Sequence, residues 1–368
     1  MRLITEQLPA GWEEKAKELG AMQRASGVIR TAESLLRLVM LYITNNGSFQ
    51  MAAIGMALTE GITMSKVAAF KRMRKCGGWL RWMAKELCAT QGATAEKPAF
   101  LGNRSVRLID ASDETTKGKN NETTYRVHYD FNPFEFTANV ELTTNKEGEK
   151  LTRHEISKGD IIIADRIYCT MSGIEHVLVS NADFLLRFKS KAFNLFDKAG
   201  ERIDLLSYIK DYSLNAFENA DIRCFYKLPC GTLRPIRIVA MKKDEVAIAE
   251  TKRKMSRKVS KKQEKQVQAD TVELNEYVVL ATSLDYTNEQ ILELYRARWQ
   301  IEQVFYRLKS LFGYDNVPSK CPDSVMAWFY GKLMLAALCE SILKKMPFPP
   351  EPEYGETLIA IIGAQCLG

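Results

Sequence analysis

Hydrophobic positions recur with one period before residue 98 and with another after it. In "TAESLLRLVMLYITNNG", Leu35, Leu36, Val39, Met40 and Ile43 fall on one stripe of a 3.6-residue helix, with Gly47 as its stop. "SFQMAAIGMALTEG" and "MSKVAAFKRMRKCGGWLRWMAKEL" continue as further helices, with Ser65 as an N-cap. A small helical bundle accounts for this region. A sharper reading makes "SKVAAFKRMRK" the reading helix of a DNA-binding helix-turn-helix.

Beyond this point short runs rich in Val, Ile, Tyr and Phe predict strands: "SVRLIDAS", "TTYRVHYDFN", "TANVELTT", "GDIIIADRIY" and "ADFLLRFKS". The helix "TMSGIEHVLVSN" lies between the last two. Three hairpin-ordered strands followed by strand–helix–strand predict an α/β domain with a mixed sheet. "IRCFYKLPCGTLRPIRIVAMKK" and "VELNEYVVLATSL" predict more strands, and the basic run "TKRKMSRKVSKKQEKQVQ" between them is either a solvated helix or a loop. "YTNEQILELYRARWQIEQVFYRLKSLFG" predicts one long helix, with Thr287 and Gln290 as a capping box and Gly313 as its stop. The expected organisation is a helical, DNA-binding region at 1–98 and the first part of a catalytic core at 99–190. A β-rich insertion with the basic segment follows at 191–285, then the core helices at 286–345 and a tail at 346–368.

Composition adds less. Hydrophobic content of 46% and charged content of 26% are those of a globular protein, and the net charge of +7 is compatible with a polyanionic partner. The 8 cysteines form no CxxC pair, so free thiols in a reducing cytoplasm are expected. No apolar stretch is long enough to span a bilayer, and no signal peptide pattern opens the chain. The 3 histidines sit in no nucleophile motif, and there is no GxxxxGK loop.

The candidate chemistry lies on the long helix. Tyr295, Arg298, Glu302 and Lys309 share a sector of roughly 60° beside the apolar face. A solvated face with an Arg298–Glu302 ion pair explains part of that ridge. A phosphodiester held by cations beside a metal-binding carboxylate explains all of it. One carboxylate holds a catalytic divalent ion poorly, so partners are needed. Asp110 ends the apolar run "VRLID" and Asp165 ends "IIIAD", and strand ends are where open α/β sheets place their crevices. Two such aspartates and one glutamate suit two metal ions about 4 Å apart. Asp113, three residues past Asp110, is a competing ligand.

The spacing Tyr295-x₂-Arg298-x₃-Glu302-x₆-Lys309, with "LYRARWQIEQVFYRLKS" around it, resembles the signature of transposases of the insertion-sequence-four type. "IADRIY", with Asp165 and Arg166, and "VRLIDAS" resemble the regions of that family's two catalytic aspartates. The resemblance implies a ribonuclease-H-like mixed-sheet catalytic core with a β-rich insertion. It implies Asp110, Asp165 and Glu302 as catalytic metal ligands for two Mg²⁺ ions, Mn²⁺ substituting. Tyr295, Arg298, Lys309 and Arg166 would grip DNA phosphates, and Lys261 and Lys262 of the basic run would add affinity. The expected partners are the terminal inverted repeats of a transposon and target DNA, bound by a homodimer in a bacterial cytoplasm, with no membrane. A metal-dependent nuclease on the same core, and an inactive or domesticated DNA-binding protein, stand as alternatives.

Overall fold

The computed structural model describes residues 2–22, 28–90, 97–116, 123–134, 137–144, 148–189, 192–262, 269–298, 316–319 and 321–345. The chain divides into two compact units, one of residues 1–97, 111–148 and 300–368, the other of residues 98–110 and 149–299. The strand β1 (Val106–Thr116) runs from the second unit into the first.

The first unit opens with α1 (Arg2–Thr5), α2 (Trp12–Glu18), α3 (Ala32–Thr44), α4 (Phe49–Glu60), α5 (Lys66–Met73) and α6 (Gly77–Thr90). Side-chain oxygens of Thr31, Ser48 and Ser65 accept from backbone N–H groups at the starts of α3, α4 and α5, satisfying donors that a helix leaves open. The stripe expected on α3 is buried through Leu35, Leu36, Val39 and Ile43, joined by Leu38 and Tyr42, while Met40 is half-buried. The late helix α12 (Pro322–Lys345) packs on α6 and α3. Gly331 allows that approach, since a Cβ there would meet Ile43 at 3.0 Å. On α5, Ala69 and Met73 face inward and Lys66 and Lys71 are exposed, as is Lys75 two residues past its end. Arg74, the remaining cation of the expected reading segment apart from Arg72, is held by Asp323 at 2.7 Å. The strands β2 (Thr123–Asn132) and β3 (Thr137–Thr144) pair antiparallel with His128 opposite Glu141, and β2 neighbours β1.

The second unit holds β4 (Ile161–Ala164), α7 (Met171–Val179), β5 (Asp183–Arg187), β6 (Leu195–Phe196), β7 (Arg202–Ile203), α8 (Leu205–Asp211), β8 (Asn219–Lys227), β9 (Leu233–Lys242), α9 (Glu245–Lys262), α10 (Ala269–Leu274), β10 (Tyr277–Thr282) and α11 (Asn288–Arg296). Its strand order is β1-β4-β5-β10-β9-β8-β6-β7. β1, β4 and β5 are parallel, as the crossover helix α7 requires, and the remaining pairs are antiparallel. β4 is buried along its whole length, which explains its unbroken apolar run. The strands of the insertion therefore form no separate sheet. They extend the core sheet through β10, which pairs directly with β5.

Three local expectations change, and one open alternative is resolved. Asp110 does not end its strand: β1 continues to Thr116 because its later residues find partners, Thr115 pairing with Asn316 of β11 (Asn316–Val317). The strand expected over "VELNEYVVLATSL" begins only at Tyr277, since residues through Leu274 are helical. The basic run is helical through Lys262 as the end of α9. The long helix is punctuated: α11 ends at Arg296, where the Ala297 N–H turns back to the Leu294 carbonyl three residues earlier. Its predicted capping box is formed, Thr287 Oγ1 accepting from Gln290 N and Gln290 Oε1 from Thr287 N. Glu302, Lys309 and the tail 346–368 lie outside the described residues.

Candidate active site

The register of β1 and β4 sets the two aspartates beside each other. Ile109 pairs with Ala164, so Asp110 and Asp165 follow one step later on neighbouring parallel strands. Neighbouring strands lie about 4.8 Å apart. Asp110 continues along β1, whereas Asp165 is the first residue beyond β4. Both are half-buried. The turn after β4 is held by Asp165 itself, whose Oδ1 accepts from the Ile167 N–H at 2.7 Å. Asp113, the competing ligand, is engaged elsewhere: Arg126 Nε donates to its Oδ1 at 2.8 Å. Alternation along a strand also turns it to the face opposite Asp110.

Around Asp165 the fold gathers cations. Arg187, the last residue of β5, lies in the electrostatic reach of Asp165, Arg166, Tyr295 and Arg298. Burial pushes its guanidinium below the usual arginine range; Tyr295 and Asp165 oppose that shift, whereas Arg166 and Arg298 reinforce it. Lys243, just past β9, is held down to about 8 by burial and then by Arg187 and Arg166. Its Nζ donates to Asn275 O at 2.6 Å and to Thr251 Oγ1 at 3.2 Å, both neutral acceptors. Arg298 stacks its guanidinium over the Tyr295 ring at 5.7 Å. Arg187 thus lies within reach of three other cations, Arg166, Arg298 and Lys243, with Asp165 as an opposing carboxylate. An arginine cannot shed its proton to relieve such crowding, so the cluster is poised for an anion.

Tyr295 differs from the expectation of an open polar ridge. It is buried at the end of α11, and burial raises its phenol above the usual range while Arg298, Arg187 and Asp165 act on it through charge. The phenol therefore stays protonated near neutrality. Arg166 is exposed. Lys261 and Lys262 are the last two residues of α9, and upstream on that helix Lys252 and Lys254 are taken by Glu276 and Glu250, each at 2.7 Å.

Arg187 and Lys243 were not singled out from the sequence. Arg187 carried a usable signal, because "FLLR" ends an apolar run with a charge as "IIIAD" does. Lys243 carried none, being one cation of the pair Lys242–Lys243 at a strand end. Among the described residues no group of three or more His, Cys, Asp or Glu side chains is placed to hold a metal. Among the described residues Cys76, Cys169, Cys224, Cys230 and Cys321 are in no disulfide. Among the described residues no helix is long and apolar enough to cross a membrane.

Comparison with known proteins gives this arrangement its setting. The chain is 29% identical over 358 residues to InsL of insertion sequence element IS186A from Escherichia coli (strain K12), covering 95% of each chain. It is likewise 29% identical over 359 residues to the transposase for insertion sequence element IS421 of Escherichia coli, again covering 95% of each. A shorter match, 42% over 73 residues, is to the transposase for element IS231F of Bacillus thuringiensis subsp. israelensis, covering 20% of this chain and 15% of that one. Residues 102–338 match the family described as Transposase DDE domain, spanning both aspartates and the region of Glu302. With its ribonuclease-H-like mixed α/β core, the chain belongs to the DDE transposases of the insertion-sequence-four type, enzymes of the polynucleotidyl-transferase class acting on DNA.

Proposed function

We propose that this transposase hydrolyses phosphodiesters at the ends of an insertion sequence and joins the freed 3′-hydroxyl to target DNA, in cut-and-paste fashion. The observation that carries this reading is that Asp110 and Asp165 each follow the paired residues Ile109 and Ala164, with Arg187 within electrostatic reach of Asp165. Carboxylates at that spacing are hard oxygen donors suited to Mg²⁺ or Mn²⁺. With Glu302 as third ligand they would hold two ions. When bound, these would activate the attacking oxygen and stabilise the leaving one.

The protein's own groups do the rest. Arg187, Arg298 and Arg166 supply the positive field that draws a DNA phosphate to Asp165, and Lys243 reinforces it below about pH 8. The Tyr295 phenol, kept protonated by burial, donates to a phosphate oxygen. Lys309 takes the same role from the far end of the signature. Asp165 keeps its turn in place while it serves as ligand, through its bond from Ile167 N. Two copies of the chain, one on each terminal inverted repeat, make the working assembly, and Lys261 and Lys262 track flanking phosphates.

The test is incubation with duplex DNA carrying the sequence that flanks the coding region, with Mg²⁺ and separately with Mn²⁺. Cleavage at the element ends, and joining of pre-cut ends to a second duplex, is the expected result. Cleavage without joining returns the chain to the nuclease reading, and binding without cleavage to the inactive one.

A further inference from the structure

The helix α11, which carries Tyr295 and is followed two residues past its end by Arg298, is anchored by one buried side chain on the insertion. Arg237 of β9 donates four side-chain hydrogen bonds. Nε donates to Asp221 Oδ1 at 3.0 Å, and Nη2 makes an ion-pair contact with Asp221 Oδ2 at 2.9 Å. Nη1 donates to the carbonyl oxygens of Leu284 at 3.1 Å and Tyr286 at 2.5 Å. Nη2 also donates to Asn288 Oδ1 at 2.7 Å. Leu284 and Tyr286 form the connection between β10 and α11, and Asn288 is the first residue of α11. Asn288 in turn donates through Nδ2 to Asn219 Oδ1 of β8 at 2.6 Å. Tyr286 is packed edge-on against Phe100, ring centroids 5.1 Å apart.

We infer that Arg237 is a positioning residue for DNA cleavage, fixing the start of α11 on the β8–β9 hairpin so that Tyr295 and Arg298 arrive beside Asp165 and Arg187. Asn288 and Tyr295 are seven residues apart, a rise of about 10 Å along a helix, so Arg237 touches none of the reacting groups. A small tilt or slide at the anchored end is carried along a rigid helix to the other. The arrangement gives the insertion a task in the reaction beyond contact with DNA, because the sheet that extends the core also holds the helix that carries Tyr295. A lysine at 237 would keep the charge but not the planar fork, which alone can serve Asp221, two carbonyls and Asn288 together.

This inference rests on the proposed roles of Tyr295 and Arg298, and a double-mutant cycle separates its failure from theirs. The readout is single-turnover cleavage of the flanking-sequence duplex by full-length protein, with thermal melting measured alongside. Arg237→Lys is expected to cleave roughly 10- to 100-fold more slowly, as misplacement by about an ångström does. In an Arg298→Ala background the same change is expected to add little, because the group it positions is gone. Asn288→Ala, which leaves the Asp221 pair and both carbonyl bonds in place, is expected to give a smaller loss with the same non-additivity, and it serves if Arg237→Lys fails to fold. Arg223→Ala, which removes an exposed pair with Asp285 at the same corner, is expected to cleave normally. If Arg298→Ala alone cleaves normally, the phosphate-holding role falls. If Arg298→Ala is slow but folded Arg237→Lys and Asn288→Ala cleave normally, or their losses multiply fully with that of Arg298→Ala, the positioning role falls and Arg237 only stabilises the fold.

Discussion

Arg237 and Arg187 stand on strands of one sheet, at opposite ends of the helix α11, and their surroundings are opposites. Arg237 donates four hydrogen bonds and is paired in charge with Asp221 at 2.9 Å. Arg187 sits among Arg166, Arg298 and, across the cluster, Lys243, with Asp165 as the opposing carboxylate. A well-partnered buried arginine contributes to the fold, and removing it strands its acceptors. A crowded one costs the fold through like-charge repulsion, a cost that makes sense where an anion is to be bound. The same residue type thus holds the fold at one end of α11 and, on the proposed function, meets a phosphate at the other.

The largest effect that sharpens this contrast is at the carboxylates. Asp110→Asn or Asp165→Asn should slow cleavage by roughly 10³-fold or more while leaving affinity for the end duplex intact. A parallel loss of affinity in a gel shift would assign these side chains to the fold instead.

Arg187→Ala should cut cleavage and end binding about 10- to 100-fold, as expected for a lost charge-assisted bond, with a melting temperature unchanged or raised. Arg237→Ala should do the reverse to stability, costing about 3–5 kcal/mol by denaturant titration, because Asp221 is left without its buried partner. If Arg187→Ala proves the more destabilising of the two, the contrast collapses.

Lys243 predicts a pH dependence. Its folded-state value of about 8 lies below the ordinary lysine value, so in the window between them the unfolded chain holds a proton that the folded one has released. Stability should therefore rise with pH through this window, and Lys243→Met should flatten that rise. DNA affinity should fall over the same range as the charge is lost. Calorimetry in buffers of different ionisation enthalpy should register proton uptake on DNA binding near pH 8. Absence of uptake would place Lys243 outside the phosphate field.

The smallest effect belongs to α9. Lys261→Gln with Lys262→Gln should lower the salt slope of DNA binding by about one unit per lost phosphate contact and leave cleavage of saturated complexes unchanged. An unaltered slope would return the end of α9 to ordinary solvated surface.

The sequence by itself determined the local elements and much of the chemistry. Thr287 and Gln290 specified the start of α11, and the alternation in "TTYRVHYDFN" and "TANVELTT" specified a hairpin whose strands match those bounds. The charged residues that close "VRLID" and "IIIAD" marked Asp110 and Asp165, because a carboxylate after a buried run has few roles other than a turn or a ligand. Only the tertiary structure decided what pairs across distance. The side-by-side register of the two aspartates comes from the pairing of Ile109 with Ala164, which no local pattern encodes. Whether the insertion strands form their own sheet or extend the core depends on β10 finding β5, a long-range choice among equally apolar strands. The different fates of Arg187 and Arg237 were equally hidden, since both end or interrupt apolar runs. A sequence records which donors a residue carries; the fold decides how many acceptors surround it.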